Sequence, residues 1–99
     1  MEGLEFTWDQ RKSVSNRKKH GVSFEEAMSV FYDECARFIS DPEHSVEEER
    51  FILMGLSSRL RLLVVCHCYL EQDKTIRIIS ARKANKSEQQ QYRGFRHES

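Results

Sequence analysis

The sequence predicts an α+β domain in which helices pack on one face of a small, mainly antiparallel sheet. Three observations carry that expectation. A short alternation of apolar and polar residues opens the chain. Two capped helical segments follow within residues 9–33. Three β-rich runs, each parted by a few turn residues, then fill residues 50–81. With a strand before these runs and a helix after them, the order is β-α-α-β-β-β-β-α.

Leu4, Phe6 and Trp8 alternate with Glu5 and Thr7, the period-two signal of a half-buried strand. Asp9 is a good N-cap, so a helix runs from there to about Lys19. Val14 is the sole apolar residue of that helix. The helix is therefore expected to dock through Val14 and the stems of its long basic side chains. Gly21, after His20, suits the left-handed position that ends a helix. Ser23 and Glu26 match the Ser-x-x-Glu capping box. Phe24, Ala27, Met28 and Phe31 then form one apolar face of a second helix, ending near Asp33.

Residues 36–40 read as a strand, stopped by Asp41-Pro42, with an acidic loop beyond. Residues 50–56, 60–70 and 74–81 read as strands joined by Ser57-Ser58-Arg59 and Glu71-Gln72-Asp73. The middle run is apolar on both faces and belongs inside the sheet. Its core face is expected to be Leu60, Leu62, Val64, Cys66 and Cys68, which sends Arg61 and His67 away from the main core. In the next strand Arg77, Ile79 and Ala81 share one face. Asn85 or Ser87 can cap a last helix over residues 88–92, and the chain after about residue 93 reads as a frayed tail.

A chain of 99 residues fits one domain over 1–99. Apolar residues at 38%, clustered in runs, exclude a disordered chain. No apolar stretch approaches the ~18 residues of a membrane span. Residues 1–5 lack the basic start and apolar run of a signal peptide, so the expected location is the cytoplasm, away from membranes. Cys35, Cys66 and Cys68 are an odd set, which argues against a disulfide framework. Cys66-His67-Cys68 lacks the ligand spacing and number of a zinc site. The cysteines read as small buried hydrophobes, and no metal or other cofactor is expected.

Net charge is zero, but the charges are segregated. Residues 11–20 hold Arg11, Lys12, Arg17, Lys18, Lys19 and His20 without an acid. Residues 41–49 hold Asp41, Glu43, Glu47, Glu48 and Glu49 without Lys or Arg. From Arg82 onward the chain is again basic, through Lys83, Lys86, Arg93 and Arg96. Such segregation can build a cationic surface on a neutral protein. The basic first helix can track an RNA backbone, stay solvated, or dock an acidic partner.

RNA cleavage without a metal needs a base for the ribose 2′-hydroxyl, a cation for the phosphate and an acid for the departing 5′-oxygen. Arg suits the phosphate through its bidentate fork, and His suits proton exchange near neutral pH. A cluster of Arg61, His67, Arg77 and Arg82 on neighbouring strands would supply these parts. Each also has a plainer role: Arg61 and Arg77 as solvated or salt-bridged strand residues, His67 as a hydrogen-bonded one, His20 as a cation at a helix C-terminus. His44 falls in the acidic loop and reads as structural or solvated.

Four blocks of residues then resemble one known family. Phe6-x-Trp8-Asp9, Lys12, Asn16 and Lys19 through Ala27, continued by Val30-Phe31-x-Asp33, resemble the opening of BrnT toxins. Asp41-x-x-His44-Ser45 with Glu49-Arg50 is similar to the second block. Gly55-x-Ser57, Arg61-Leu62-Leu63-x-Val65 and His67 are similar to the third, and Arg77 through Arg82, Ala84, Glu88 and Tyr92 to the fourth. Together the blocks cover roughly residues 6–92. The resemblance implies a RelE-like fold and a metal-independent ribonuclease toxin that inhibits translation and growth. It implies a DNA-binding, BrnA-like antitoxin in a complex of two toxins and two antitoxins, with operator DNA reached only through the antitoxin. For the site it implies Arg82 and His20 first, then Arg61, Arg77 and His67, with Lys12, Lys19 and Lys83 on RNA. A non-catalytic nucleic-acid-binding or regulatory module on the same fold is the alternative, and a purely structural interaction domain a third.

Overall fold

The computed structural model describes residues 4–40, 50–70, 72 and 74–98. In them the chain forms β1 (Glu5–Thr7), α1 (Gln10–His20), α2 (Phe24–Ser29), a 3₁₀ turn (Val30–Tyr32), β2 (Arg37–Ile39), β3 (Phe51–Leu56), β4 (Leu62–Leu70), β5 (Thr75–Lys83) and α3 (Lys86–Glu98). The strands make one sheet in the order β1-β5-β4-β3-β2. β1 runs parallel to β5, and every other pair is antiparallel. The acidic loop with its Asp41-Pro42 turn and His44 lies outside the described residues, as do Glu71 and Asp73.

The caps form where the sequence places them. The Asp9 carboxylate accepts from the Arg11 N–H at 2.8 Å, and Gly21 takes φ 70° while its N–H bonds the Arg17 carbonyl. Docking of α1 is a different matter. Val14 is 47% exposed, so it does not anchor the helix. The buried residues of α1 are Ser13 and Asn16. The Asn16 amide donates to the carbonyls of Val22 and Ala81, both at 2.9 Å, and accepts the Ala81 N–H at 3.0 Å. β1 pairs β5 only at Thr75–Arg77, so Asn16 stands in for a neighbouring strand beyond its end. A helix without an apolar stripe is held by a satisfied amide instead.

The helices do not share one face of the sheet. Leu53, Leu63, Val65, Ile76, Ile78 and Ala81 pack against Val22, Phe24, Ala27, Val30 and Phe31, the α2 side. Ile52, Met54, Val64 and Cys66 pack against Ala84 and Tyr92, with Phe95 beside them, on the α3 side. A central strand that is apolar on both faces needs both faces covered, and α3 provides the second cover. It therefore extends past Tyr92 to Glu98 rather than fraying, with the Arg37 guanidinium 5.5 Å over the Phe95 ring. Asn85 is its cap: Asn85 and Glu88 exchange hydrogen bonds at 2.8 and 2.9 Å.

This two-sided burial corrects the expected orientation of His67. The residue is fully buried on the α2 side, its ring 4.7 Å from that of Phe31. Its Nδ1 lies 3.2 Å from the Val65 carbonyl, which as an acceptor fixes the proton there. Nε2 then accepts from the Tyr69 hydroxyl at 3.3 Å. Burial pushes the imidazole below the usual histidine range, and the Val65 hydrogen bond only partly opposes it. The faces of β5 also depart from simple alternation. Cys66 pairs Ser80 but His67 pairs Ile78, so a bulge at Ile79 resets the register. Ala81 therefore shares its face with Ile78 and Ile76, and Arg77 points with Cys68 to the other side.

Gly55 sits where β3 is closely approached by the residues packed on it. A Cβ there would lie 2.8 Å from the Ala36 Cβ and 2.9 Å from the Val30 Cγ1. Gly55→Ala is expected to cost about 1–3 kcal/mol as overpacking. Thermal melting should then fall by several degrees, and an unchanged melting temperature would contradict the packing described. His67 gives a second expectation. Below about pH 6.5 the unfolded chain takes up a proton that the buried imidazole refuses, so stability falls as pH drops. The slope of unfolding free energy from this group should approach 1.4 kcal/mol per pH unit, about one proton, and His67→Leu should flatten it. Identical slopes for parent and variant between pH 5 and 6.5 would show that His67 is not the group responsible.

Candidate active site: a cationic groove at one end of the sheet

β4 begins where β5 ends, since Leu63 pairs Lys83. Arg61, in the turn before β4, and Lys83 therefore meet at one end of the sheet. α3 runs past the same end and adds Arg93 and Arg96, neighbours on a helix at i and i+3. These cations line a groove of about 450 Å³ whose floor includes Leu56, Leu62 and Tyr92. Among the described residues no Asp or Glu lines it.

Arg61 is held in place from behind. The Glu26 carboxylate is buried beneath it and accepts from Arg61 Nε at 2.8 Å and from Nη2. Arg61 Nη2 also donates to the Gly21 carbonyl at 3.0 Å, and the Ser57 hydroxyl donates to Glu26 at 2.7 Å. The Arg61 guanidinium, helped by Ser57 and against the cost of burial, holds the Glu26 carboxyl below the usual carboxylate range. The turn itself closes through Ser57 N–H to the Arg61 carbonyl at 2.9 Å and puts Leu60 at φ 60°, 79% exposed.

The helix wall is tethered at Tyr92, whose hydroxyl donates to Asp33 at 2.6 Å. Burial would raise the Asp33 pKa, but the Leu56 N–H, the Tyr92 hydroxyl and the Cys35 N–H together bring it below the usual range. Burial and the Asp33 carboxylate in turn raise the pKa of the Tyr92 phenol, which stays a donor. Arg82 makes the second tether. Its two terminal nitrogens reach the two oxygens of Glu88 at 2.8 and 2.9 Å. The Arg82 fork, against burial, holds the Glu88 carboxyl below its ordinary range.

The structure thus divides the residues singled out from sequence. Arg61 and Lys83 line the groove. His20 is half-buried at the last position of α1, one residue before the carbonyl that binds Arg61. Arg82 sits beside Lys83 but is engaged by Glu88 and does not line the groove. Lys12 and Lys19 are exposed on α1. Arg77 is exposed six residues before Lys83, roughly 20 Å along a strand. The expected cluster of Arg61, His67, Arg77 and Arg82 does not form: His67 is buried, and Arg77 lies toward the far end. Sequence reading missed Arg93, Arg96 and Tyr92 as wall residues. The i, i+3 spacing of Arg93 and Arg96 is the available signal, and a segment that reads as a frayed tail hides it. Among the described residues no group of three His, Cys, Asp or Glu side chains is placed to hold a metal ion, and no helix is long and apolar enough to cross a membrane.

The family described as ribonuclease toxin, BrnT, of type II toxin-antitoxin system matches residues 8–88. The 1.1 Å crystal structure of the Brucella abortus ribonuclease toxin BrnT is similar with a TM-score of 0.64 and 20% identity, covering 84% of this chain and 99% of that one. No curated protein matches the sequence. The crystal structure shares the mixed α+β architecture, and the family match spans most of the described chain. The chain belongs to the BrnT family of ribonuclease toxins of type II toxin–antitoxin systems.

Proposed function

We propose that this chain cleaves RNA at the cationic groove without a metal, the groove's cations holding the phosphates and His20, at the end of α1 and outside the groove's lining, acting on the proton. The observation that carries the reading is the set of four cations around an apolar floor with no lining carboxylate. Lys83 and Arg93 hold the phosphates, and Arg61, whose Nε and Nη2 are taken by Glu26 and the Gly21 carbonyl, offers its remaining nitrogen Nη1. His20 takes the proton of the ribose 2′-hydroxyl. The 2′-oxygen attacks phosphorus, the bond to the 5′-oxygen breaks, and that oxygen takes a proton from solvent. Lys12 and Lys19 follow the backbone outside the groove. Arg82 braces α3 through Glu88 rather than touching the phosphate. His67 and Arg77 have no part in the step.

In this reading the fold is RelE-like and the activity inhibits translation and growth in the cytoplasm. A BrnA-like, DNA-binding antitoxin neutralises it in a complex of two toxins and two antitoxins. The family assignment supports a protein antitoxin; these finer features extend it.

Cleavage of a single-stranded RNA by the purified chain should persist in EDTA. Activity that vanishes in EDTA and returns with a divalent ion would overturn the mechanism. Arg93→Ala and Lys83→Ala should each lower kcat/KM on the order of 100-fold at an unchanged melting temperature. His20→Ala should lower kcat by about 10²–10⁴ with little change in KM. Three phosphate contacts also predict a slope of about −2 for log binding constant against log salt. Binding with no cleavage in any buffer would leave the non-catalytic module as the function.

A further inference from the structure

The groove's cations hold phosphates of any sequence, because phosphate contacts carry no information about the bases. Its wall also contains one amide side chain among the described residues, that of half-buried Gln89. The amide nitrogen of Gln89 donates to the Ala84 carbonyl at 3.2 Å. A carbonyl only accepts, so this bond decides which way round the amide sits. Nitrogen and oxygen diverge from one carbon, so Oε1 turns away from the Ala84 carbonyl. Among the described residues Oε1 accepts no hydrogen bond. The start of α3 does not call for this side chain. Asn85 and Glu88 already cap it, and the Gln89 N–H bonds the Asn85 carbonyl at 2.9 Å.

The surroundings of Gln89 suit a flat ring. Leu56, Leu62 and Tyr92 line the floor, and the Tyr92 hydroxyl is committed to Asp33. Leu60 stands at the lip, 79% exposed and at φ 60°. That backbone region is uncommon for a bulky residue, and here it holds an apolar side chain in water beside an apolar floor. A planar base entering the groove would cover both. The volume of about 450 Å³ lies in the range of small-ligand sites. Gln89 and Arg93 stand at i and i+4 on α3, neighbours on one helix face with about 5–6 Å between Cβ atoms. One nucleotide can therefore give its phosphate to Arg93 and the edge of its base to Gln89.

We propose that Gln89 selects the base held in the groove, its Oε1 accepting a hydrogen bond from the exocyclic amine of cytosine or adenine. At the matching ring position uracil and guanine carry a carbonyl oxygen, which would set acceptor against acceptor. A free glutamine could turn its amide over and suit either kind of base. The Ala84 bond removes that choice. A half-buried site shaped to hydrogen-bond one group rejects the analogue that lacks it, because the polar atom is then left unpaired. The proposal rests on the reading of the groove as the RNA site and names the base that site prefers.

The test measures binding of the full chain to short single-stranded oligomers of deoxycytidine and of deoxyuridine, by fluorescence anisotropy at one salt concentration. Without a 2′-hydroxyl neither oligomer is cut. The parent should bind the cytosine oligomer about tenfold more tightly. Gln89→Met should bring the two affinities to within about twofold of each other. That ratio is a readout which a loss of stability does not move. A third oligomer carries 2-pyrimidinone, which is cytosine without its amine, and the parent should bind it about tenfold more weakly than cytosine. If Gln89→Met fails to fold, this third oligomer decides. Equal affinity of the parent for cytosine and either analogue overturns the proposal, as does a preference kept in folded Gln89→Met. A parent that prefers cytosine yet cleaves no RNA removes the ribonuclease reading and leaves base selection standing. A parent that cleaves RNA but binds all three oligomers equally removes base selection alone. Binding of none of them removes both.

Discussion

The buried carboxylate of Glu26 is the constraint on which the rest of the site depends. A charge taken out of water must be paired and hydrogen-bonded, or it is expelled. Glu26 meets that demand with partners from three places in the chain: Arg61 before β4, Ser57 after β3, and, through Arg61, the Gly21 carbonyl after α1. α2, the β3–β4 turn and the end of α1 are thus locked together by one acid. The same bonds fix the position of a groove cation against Gly21, the residue that follows His20.

The opposite wall is fastened by polar pairs as well. Tyr92 binds Asp33, which also takes the Leu56 N–H, so α3 is tied to the end of β3. The Arg82–Glu88 fork ties its first turn to the end of β5. Phe95 under Arg37 holds its later turns to the edge strand. Apolar burial of Tyr92 and Phe95 supplies cohesion, and the directional bonds select the angle at which the helix crosses the sheet. A groove results because the helix is held by side chains at intervals and not pressed along its length.

Much of this was legible in the sequence wherever a signal is local. Asp9, Gly21, Ser23 and the Asn85–Glu88 pair end or begin helices because capping is settled within four residues. Strand runs were legible from composition. What failed was non-local. The bulge at Ile79 leaves no mark in a run of β-formers, yet it decides which side Arg77 takes. The orientation of His67 depends on a second covering helix, which residues 88–92 alone are too short to provide. Arg82, ranked first by motif, is committed to Glu88, a bidentate pairing that spacing alone does not reveal. Asn16 carried no apolar signal at all, although it holds α1 to the sheet.

The central claim is that RNA sits in the groove between Arg61, Lys83 and α3. It is tested most directly by titrating the ¹⁵N-labelled protein with a short RNA whose 2′-hydroxyls are replaced by hydrogen, so that it binds without being cut. The account predicts that amide shifts concentrate at residues 60–62, 83–84 and 89–96, with a smaller response at His20 and Gly21. Shifts confined to other parts of the sheet, with the groove silent, would contradict it.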